Sequence, residues 1–416
     1  AGDMSDNGIE FLQRKTIKVL TAGQVLSGFG LGSTLSIGSL LAADLSGSAA
    51  WAGAAATFST LGAAVWAVPL ARLAYARGRR VSLATGAGLA ILGASLVITA
   101  AAIHFFPLLL VALFFLGAGS ATGLQARFAA TDLPTTKSAG RDLSLVVWAT
   151  TVGAVVGPNL FGPGEVVGGW LGLPTMTGPF VFTITAQLLA TTAFWFGLRP
   201  DPLLVAKQLN AADGKIKPKV SFGSAFTTLK QHPLAAFAVA AIGLSHMVMV
   251  SVMAMTPVHM QHEMGADLVI VGFTISLHIA GMYAFSPIFG WLTDKIGRIQ
   301  TVLIGQGVYV VALAIAGFGQ HDRTLVTIGL FLLGLGWSAS TVAGSALLAT
   351  SLPVDQKTNV QGLSDSLMNL SGAFGGAVAG SILTAFTFGG VNAAAFMPVV
   401  LIVIFAGVSK LGAKTS

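Results

Sequence analysis

Apolar residues run along this chain in blocks too long for a soluble helix and too uniform to leave one face polar. A helix crosses a bilayer in about 20 residues. Blocks of roughly that length or more lie near 16–42, 48–75, 81–103, 106–127, 142–167, 175–198, 233–258, 266–293, 299–318, 324–349, 359–388 and 391–412. The polar breaks between them are short, with one exception. From Arg199 to Gln231 the chain turns polar and carries Lys207, Lys215, Lys217, Lys219 and Lys230. The pattern predicts an all-α membrane protein of twelve transmembrane helices, with a first six-helix bundle over 1–198, a linker over 199–232 and a second bundle over 233–416.

Composition agrees and excludes the soluble classes. Hydrophobic residues make up 54% of the chain and charged ones 9%, against about 25% charged in a soluble domain that must face water. The 52 glycines suit helices that approach closely inside lipid. The net charge of +7 follows membrane topology rather than nucleic-acid binding. Arg14, Lys15, Lys18, Arg77, Arg79, Arg80, Lys137, Arg141, the linker lysines, Lys295, Arg298, Lys357, Lys410 and Lys414 fall on alternate loops or at the termini, and the opposite loops offer Arg323. The positive-inside rule then expects both termini and the linker in the cytoplasm of a multi-pass plasma-membrane protein, the inner membrane of a bacterium. With no cysteine there is no thiolate chemistry. No phosphate-cradling Gly-Lys loop and no nucleophile–histidine–acid set is visible. The expectation is a monomeric, non-enzymatic protein without a cofactor, whose partners are the lipid bilayer and an ion or small solute.

The halves echo each other. Arg77-Gly78-Arg79-Arg80 follows the second block, and Gly290-Trp291-Leu292-Thr293-Asp294-Lys295-Ile296-Gly297-Arg298 follows the eighth. Leu116-Gly117-Ala118-Gly119 matches Leu333-Gly334-Leu335-Gly336, with Pro134 and Pro353 closing the two spans. Two six-helix halves repeated in parallel suit an alternating-access carrier with its site between them. The stretch from Gly290 to Arg298 resembles the loop signature of the major facilitator superfamily, which implies that fold and a latch of Gly290, Asp294, Gly297 and Arg298. Physically, Asp294 can accept from an arginine or a helix N-terminus, and Gly297 allows a tight turn. In the first-half copy Ala71 and Tyr75 stand where glycine and aspartate would be. Gly153-Ala154-Val155-Val156-Gly157-Pro158 resembles the glycine-proline motif of the superfamily's drug–proton antiporters, and also reads as a kinked, closely packed span.

Methionine and histidine concentrate in one place. Seven of the 11 methionines fall between Met247 and Met282, and four of the seven histidines (His246, His259, His262, His278) lie in the same region. Thioether and neutral imidazole suit a soft monovalent metal such as Cu(I). Met249-x-x-x-Met253 and His278-x-x-x-Met282 each put two such groups one turn apart on one helix face. These pairs in consecutive spans resemble the signature of the CcoA-like copper importers (CalT group), a branch of the superfamily. The resemblance implies Met249, Met253, His278 and Met282 as copper ligands, with copper as transported substrate. Helix rise from the expected outer boundary places Met253 roughly 8 Å down, Met249 roughly 14 Å, His278 roughly 18 Å and Met282 roughly 24 Å. Met249 and His278 are then the pair nearest in depth. His259, Met260, His262 and Met264 are expected in an outer capture loop, and His246, Met368 and Asn369 as further cavity residues. Asp365 is a candidate for proton coupling, or an anchor bonded to Gln361 or Ser366. Arg127, Asp132, Arg141 and Asp142 are expected to form an ion-pair network. The competing reading is a carrier of an apolar or aromatic organic solute, riboflavin-like or a drug, with flexible methionines lining an adaptable cavity and Trp148 and Trp337 as contacts.

Overall fold

The computed structural model describes residues 5–48, 51–134, 138–212, 222–266 and 268–415. Lys137, Lys215, Lys217 and Lys219 lie outside the described residues. All elements among the described residues are helical: α1 (Asp6–Ser46), α2 (Ala52–Arg77), α3 (Arg79–Ala102), α4 (Phe106–Ala129), α5 (Ala139–Val156), α6 (Phe161–Trp170), α7 (Pro179–Gly197), α8 (Pro202–Ala212), α9 (Phe222–Gln231), α10 (Pro233–His262), α11 (Leu268–Tyr283), α12 (Ser286–Ile296), α13 (Arg298–Phe318), α14 (Arg323–Thr350) and α15 (Val354–Thr415). Among the described residues ten segments are long and apolar enough to cross a membrane. The last of them, Val354–Ser409, covers the eleventh expected span and most of the twelfth, with a break at Thr387 where φ is 67° and ψ −179°. With α1 the set accounts for all twelve blocks.

Local chemistry sets the helix ends. Asp322 caps α14 by accepting from the backbone N–H groups of Thr324 (2.8 Å) and Leu325 (3.2 Å), donors that no helical carbonyl can reach. Proline opens α4, α7, α10 and α12 in the first turn, where its missing N–H costs nothing. The fifth block is broken: α5 stops at Val156, a tighter turn covers Gly157–Leu160, and α6 follows. The linker is partly helical through α8 and α9. Lys207 on α8 ties it down, donating to the Tyr75 carbonyl at 2.5 Å with its ammonium 4.2 Å from the Tyr75 ring centroid.

The chain divides into two compact units. The first comprises Ala1–Thr135, Ala149–Ala225 and Pro353–Ser366. One of its cores joins α1, α2, α3, α4 and α7 through Ile37, Leu41, Ala55, Val97, Leu109, Leu113 and Phe180. Gly28 of α1 and Gly153 of α5 bring two backbones together, since a Cβ on Gly153 would lie 2.1 Å from the carbonyl carbon of Gly28. That contact gives the glycine-proline stretch a packing role.

The second unit comprises Thr136–Trp148, Phe226–Leu352 and Leu367–Ser416. Its axis is α14, buried almost continuously from Gly336 to Ala349 and packed by α10, α11, α12 and α13. Small residues allow this: a Cβ on Gly334 would sit 2.4 Å from the His278 carbonyl oxygen. Some of the unit's buried polar side chains bond across spans, which offsets the cost of burying them away from water. Tyr309 donates to the Ser245 carbonyl at 2.8 Å, and Gln306 reaches the hydroxyls of Ser245 (3.2 Å) and Ser340 (2.8 Å).

Candidate transport site

The methionine–histidine region folds around α14. Hydrogen bonds fix the register of α11 and α12 against it: Thr274 with Thr327 (3.0 Å), His278 with the Leu330 carbonyl (2.8 Å) and Ser286 with Ser338 (3.2 Å). The separations are 53, 52 and 52 residues, so the helices run parallel. Against α10 the register is antiparallel, set by Trp337 donating to His246 Nδ1 (3.1 Å) and by Gly344 against Ile242. Counting from these anchors, His278 and Met253 both come level with residues near Leu330 and Phe331 of α14. Met282 and Met249 come level with Gly334 and Leu335. The four groups form two tiers about 6 Å apart by helix rise, in place of the four-step descent expected from hydropathy. Met253, rather than Met249, shares the level of His278.

His278 is fully buried. A carbonyl can only accept, so its Nδ1 carries the proton given to Leu330, and Nε2 carries the lone pair. Nε2 is buried and has no hydrogen-bond partner. A histidine that donates one ring N–H to a backbone carbonyl has its tautomer and ring orientation set, with the other nitrogen presented as a ligand. Met249 and Met282 are buried at 2% and 6% exposure, and Met253 is half-buried. Pro257 inside α10 withholds the backbone bond that the Met253 carbonyl would receive in an unbroken helix.

The other expected residues are placed differently. His246 is half-buried and presses on Gly372 of α15, where a Cβ would lie 2.6 Å from its Cδ2. Since its Nδ1 accepts from Trp337, its own proton sits on Nε2. Tyr283 packs edge-on to Trp337 at 5.5 Å between centroids, so His246, Trp337 and Tyr283 join α10, α14 and α11. Sequence reasoning missed Tyr283, although it directly follows Met282. Met247 lies against Gly375, whose added Cβ would be 2.9 Å from Met247 Cγ, a packing contact. Trp148 is 38% exposed, Met368 is buried and Asn369 half-buried.

The expected outer loop is largely the last turn of α10. His259 is 3% exposed and Met260 fully buried. His259 donates from Nε2 to the Gln320 carbonyl at 2.6 Å and stacks on Phe388 with centroids 4.5 Å apart. That is a structural pin, whereas His262 is exposed and Met264 half-buried. The apolar block ends at residue 258 because His259, Gln261, His262 and Glu263 follow it, whereas the helix continues to His262.

In the first unit Asp365 pairs with Arg127 at 2.9 Å, both nearly buried. Gln361, one of its expected anchors, instead accepts from Arg79 at 2.9 Å. Arg79 also grips Asp132 with two bonds, at 2.8 and 3.0 Å. Lys357 donates to the Thr131 carbonyl at 3.0 Å. In the second unit Arg141 contacts Asp142 at 3.3 Å while 67% exposed. Arg127, Asp132, Arg141 and Asp142 are thus each engaged in an ion pair.

The latch residues lie in the second unit. Asp294 accepts from the backbone N–H groups of Gly140 and Arg141, both at 2.9 Å, a carboxylate on the positive end of α5. A Cβ on Gly290 would meet the Ser144 hydroxyl at 2.2 Å. Gly297, at φ 115°, turns the chain from α12 into α13, which Arg298 opens. Gly78, at φ 95°, does the same between α2 and α3.

Among the described residues no three histidine, cysteine or acidic side chains group so as to hold a metal ion. Metal binding here would therefore depend on thioethers beside the single open imidazole nitrogen of His278. Known proteins resemble the whole chain. The sequence pattern described as Major Facilitator Superfamily matches residues 20–277 and 238–413. The uncharacterized MFS-type transporter YdeG of Bacillus subtilis is 36% identical over 400 residues, 94% of this chain and 92% of that protein. The riboflavin transporter RfnT of Brucella anthropi is 28% identical over 96% of this chain and 97% of its own length. Among solved structures, the human organic anion transporter MFSD10 superposes with a TM-score of 0.73 at 15% identity, covering 95% of this chain and 99% of its own.

Proposed function

This chain belongs to the major facilitator superfamily and is a multi-pass secondary transporter, and from that premise we propose that its cargo is copper. The ion enters as Cu(I) or in a small copper complex, across a bacterial inner membrane, by alternating access. The observation that carries the reading is His278: a buried imidazole with its Nδ1–H given to Leu330 and its Nε2 lone pair unpartnered. Met253 stands at its level, and Met249 with Met282 supply thioethers about one turn away. All four ligands are neutral, so bound Cu(I) keeps a single charge. Soft ligands of this kind favour the cuprous ion, and several weak sites allow release. Asp365, held by Arg127, is the carboxylate proposed to couple proton entry to transport.

A second reading has its own support. His246, Trp337 and Tyr283 form a polar-aromatic junction suited to a flat organic solute, and the RfnT relative is named a riboflavin transporter. Cellular copper content, measured with and without the protein, separates the two. Copper transport predicts that His278→Phe and Met249→Ile abolish copper accumulation at unchanged protein level, and that Trp337→Phe retains it. Riboflavin accumulation that survives His278→Phe and falls with Trp337→Ala would replace the copper reading with the organic one.

A further inference from the structure

We propose that the corner where α1, α3 and α7 meet binds the headgroup of an anionic phospholipid, with Arg80 and Arg199 as its cationic arms. The guanidinium of Arg80 lies 4.2 Å from the centroid of Trp195, and its Nη1 is buried without a hydrogen-bond partner. Arg199, one helical turn beyond Trp195, is exposed and sits 5.7 Å from the Phe196 ring. Lys15 donates to the Arg199 carbonyl at 2.5 Å, which brings a third cation to the corner. Exposed Lys18 follows on α1.

The nearby carboxylate does not neutralise them. Asp201 accepts from the backbone N–H groups of Arg80 (2.7 Å), Leu203 (3.0 Å) and Leu204 (3.2 Å), so its oxygens are committed to the turn. Among the described residues Arg80, Arg199, Lys15 and Lys18 form no ion pair. A charged donor buried without a partner is costly, and a phosphate at the rim would relieve Arg80. Trp195 is 39% exposed and Phe196 65%. Exposed aromatic rings beside cations mark the depth where headgroup meets acyl chain, and basic pockets between spans on the cytoplasmic side are where anionic headgroups bind. The rings favour a lipid over a free phosphate, which has no apolar part to cover them.

The test uses the full-length protein in detergent, with native mass spectrometry and thermal unfolding in the presence of phosphatidylglycerol, phosphatidylethanolamine or inorganic phosphate. Phosphatidylglycerol is expected to be retained and to raise the unfolding temperature. The double variant Arg80→Gln/Arg199→Gln is expected to bind it at least tenfold more weakly, with Arg80→Lys/Arg199→Lys keeping most of the binding and Arg323→Gln all of it. Equal retention by wild type and the double variant would overturn the proposal. So would inorganic phosphate stabilising the protein as well as the lipid does. Should the double variant not fold, Trp195→Ala serves in its place, and undiminished phosphatidylglycerol binding there refutes the site. None of these outcomes depends on the identity of the cargo.

Discussion

Arg79 and Asp132 meet with side chains 1% and 0% exposed, in a geometry where two parallel bonds fix both groups. Removing one partner strands the other charge in a low-dielectric interior, at a cost of about 3–5 kcal/mol. Arg79→Gln should therefore lower the thermal unfolding temperature sharply, and Arg79→Leu/Asp132→Leu should recover much of the loss. An equal loss in the double variant would show that the pair does more than satisfy itself. Arg127 and Asp365 form a second buried pair, with one guanidinium nitrogen 2.9 Å from the carboxylate. If Asp365 carries the coupled proton, Asp365→Asn should abolish the pH dependence of uptake while the protein still folds. A pH profile unchanged from wild type would remove Asp365 from the transport cycle. The sequence showed that Asp365 was a costly group but not which arginine answers it. Helical spacing exposes neighbours on the same helix, such as Gln361, whereas Arg127 lies on α4, far away along the chain.

At the scale of elements, glycine spacing decides which helices can touch. Gly281 and Gly334 bring α11 onto α14, and a Cβ on Gly281 would lie 2.6 Å from the Phe331 carbonyl oxygen. Backbone cannot move aside as a flexible side chain can, so Gly334→Val should greatly reduce the yield of folded protein, read by size-exclusion chromatography in detergent. Gly307 on α13 has open space around its Cβ position, and Gly307→Ala should be neutral or stabilising by up to about 1 kcal/mol, read by thermal unfolding. The spans themselves were legible because each is a long apolar block. The register between spans was not, since hydropathy locates a helix end only to within a few residues. That uncertainty is why Met249 looked level with His278. The bonds of Thr274, His278 and Ser286 to the tenth span, together with the Trp337–His246 bond that registers α10 on the same span, bring Met253 to that level.

The whole molecule does not divide where the sequence does. The second unit includes Thr136–Trp148 from the first six spans, and the first includes Pro353–Ser366 from the last six. The exchange is symmetric in the repeat, and neither hydropathy nor charge reveals it, because both report on a segment alone. Asp294 on the α5 N-terminus is the seam in the second unit. A Cβ on Gly140 would lie 3.1 Å from Asp294 Cγ, and the chain has no native cysteine. Gly140→Cys/Asp294→Cys should therefore cross-link under oxidation, keeping the fragments together on a non-reducing gel after cleavage at a site engineered at 215–219. Alternating access requires segments of the two sequence halves to separate, so the cross-linked protein should lose uptake and regain it on reduction. Uptake that continues with the bond closed would mean that this seam stays shut throughout the cycle. The tenth span carries a further consequence. His278 has its tautomer held by the backbone at Leu330 and His246 has its own held by the indole at Trp337, two residues of one rigid rod. A slide of α14 by a single helical step, about 1.5 Å, would loosen both locks at once and free each imidazole to move its proton to the other nitrogen. The rod would then act as a common selector, deciding in one stroke which nitrogen each ring offers to the pathway.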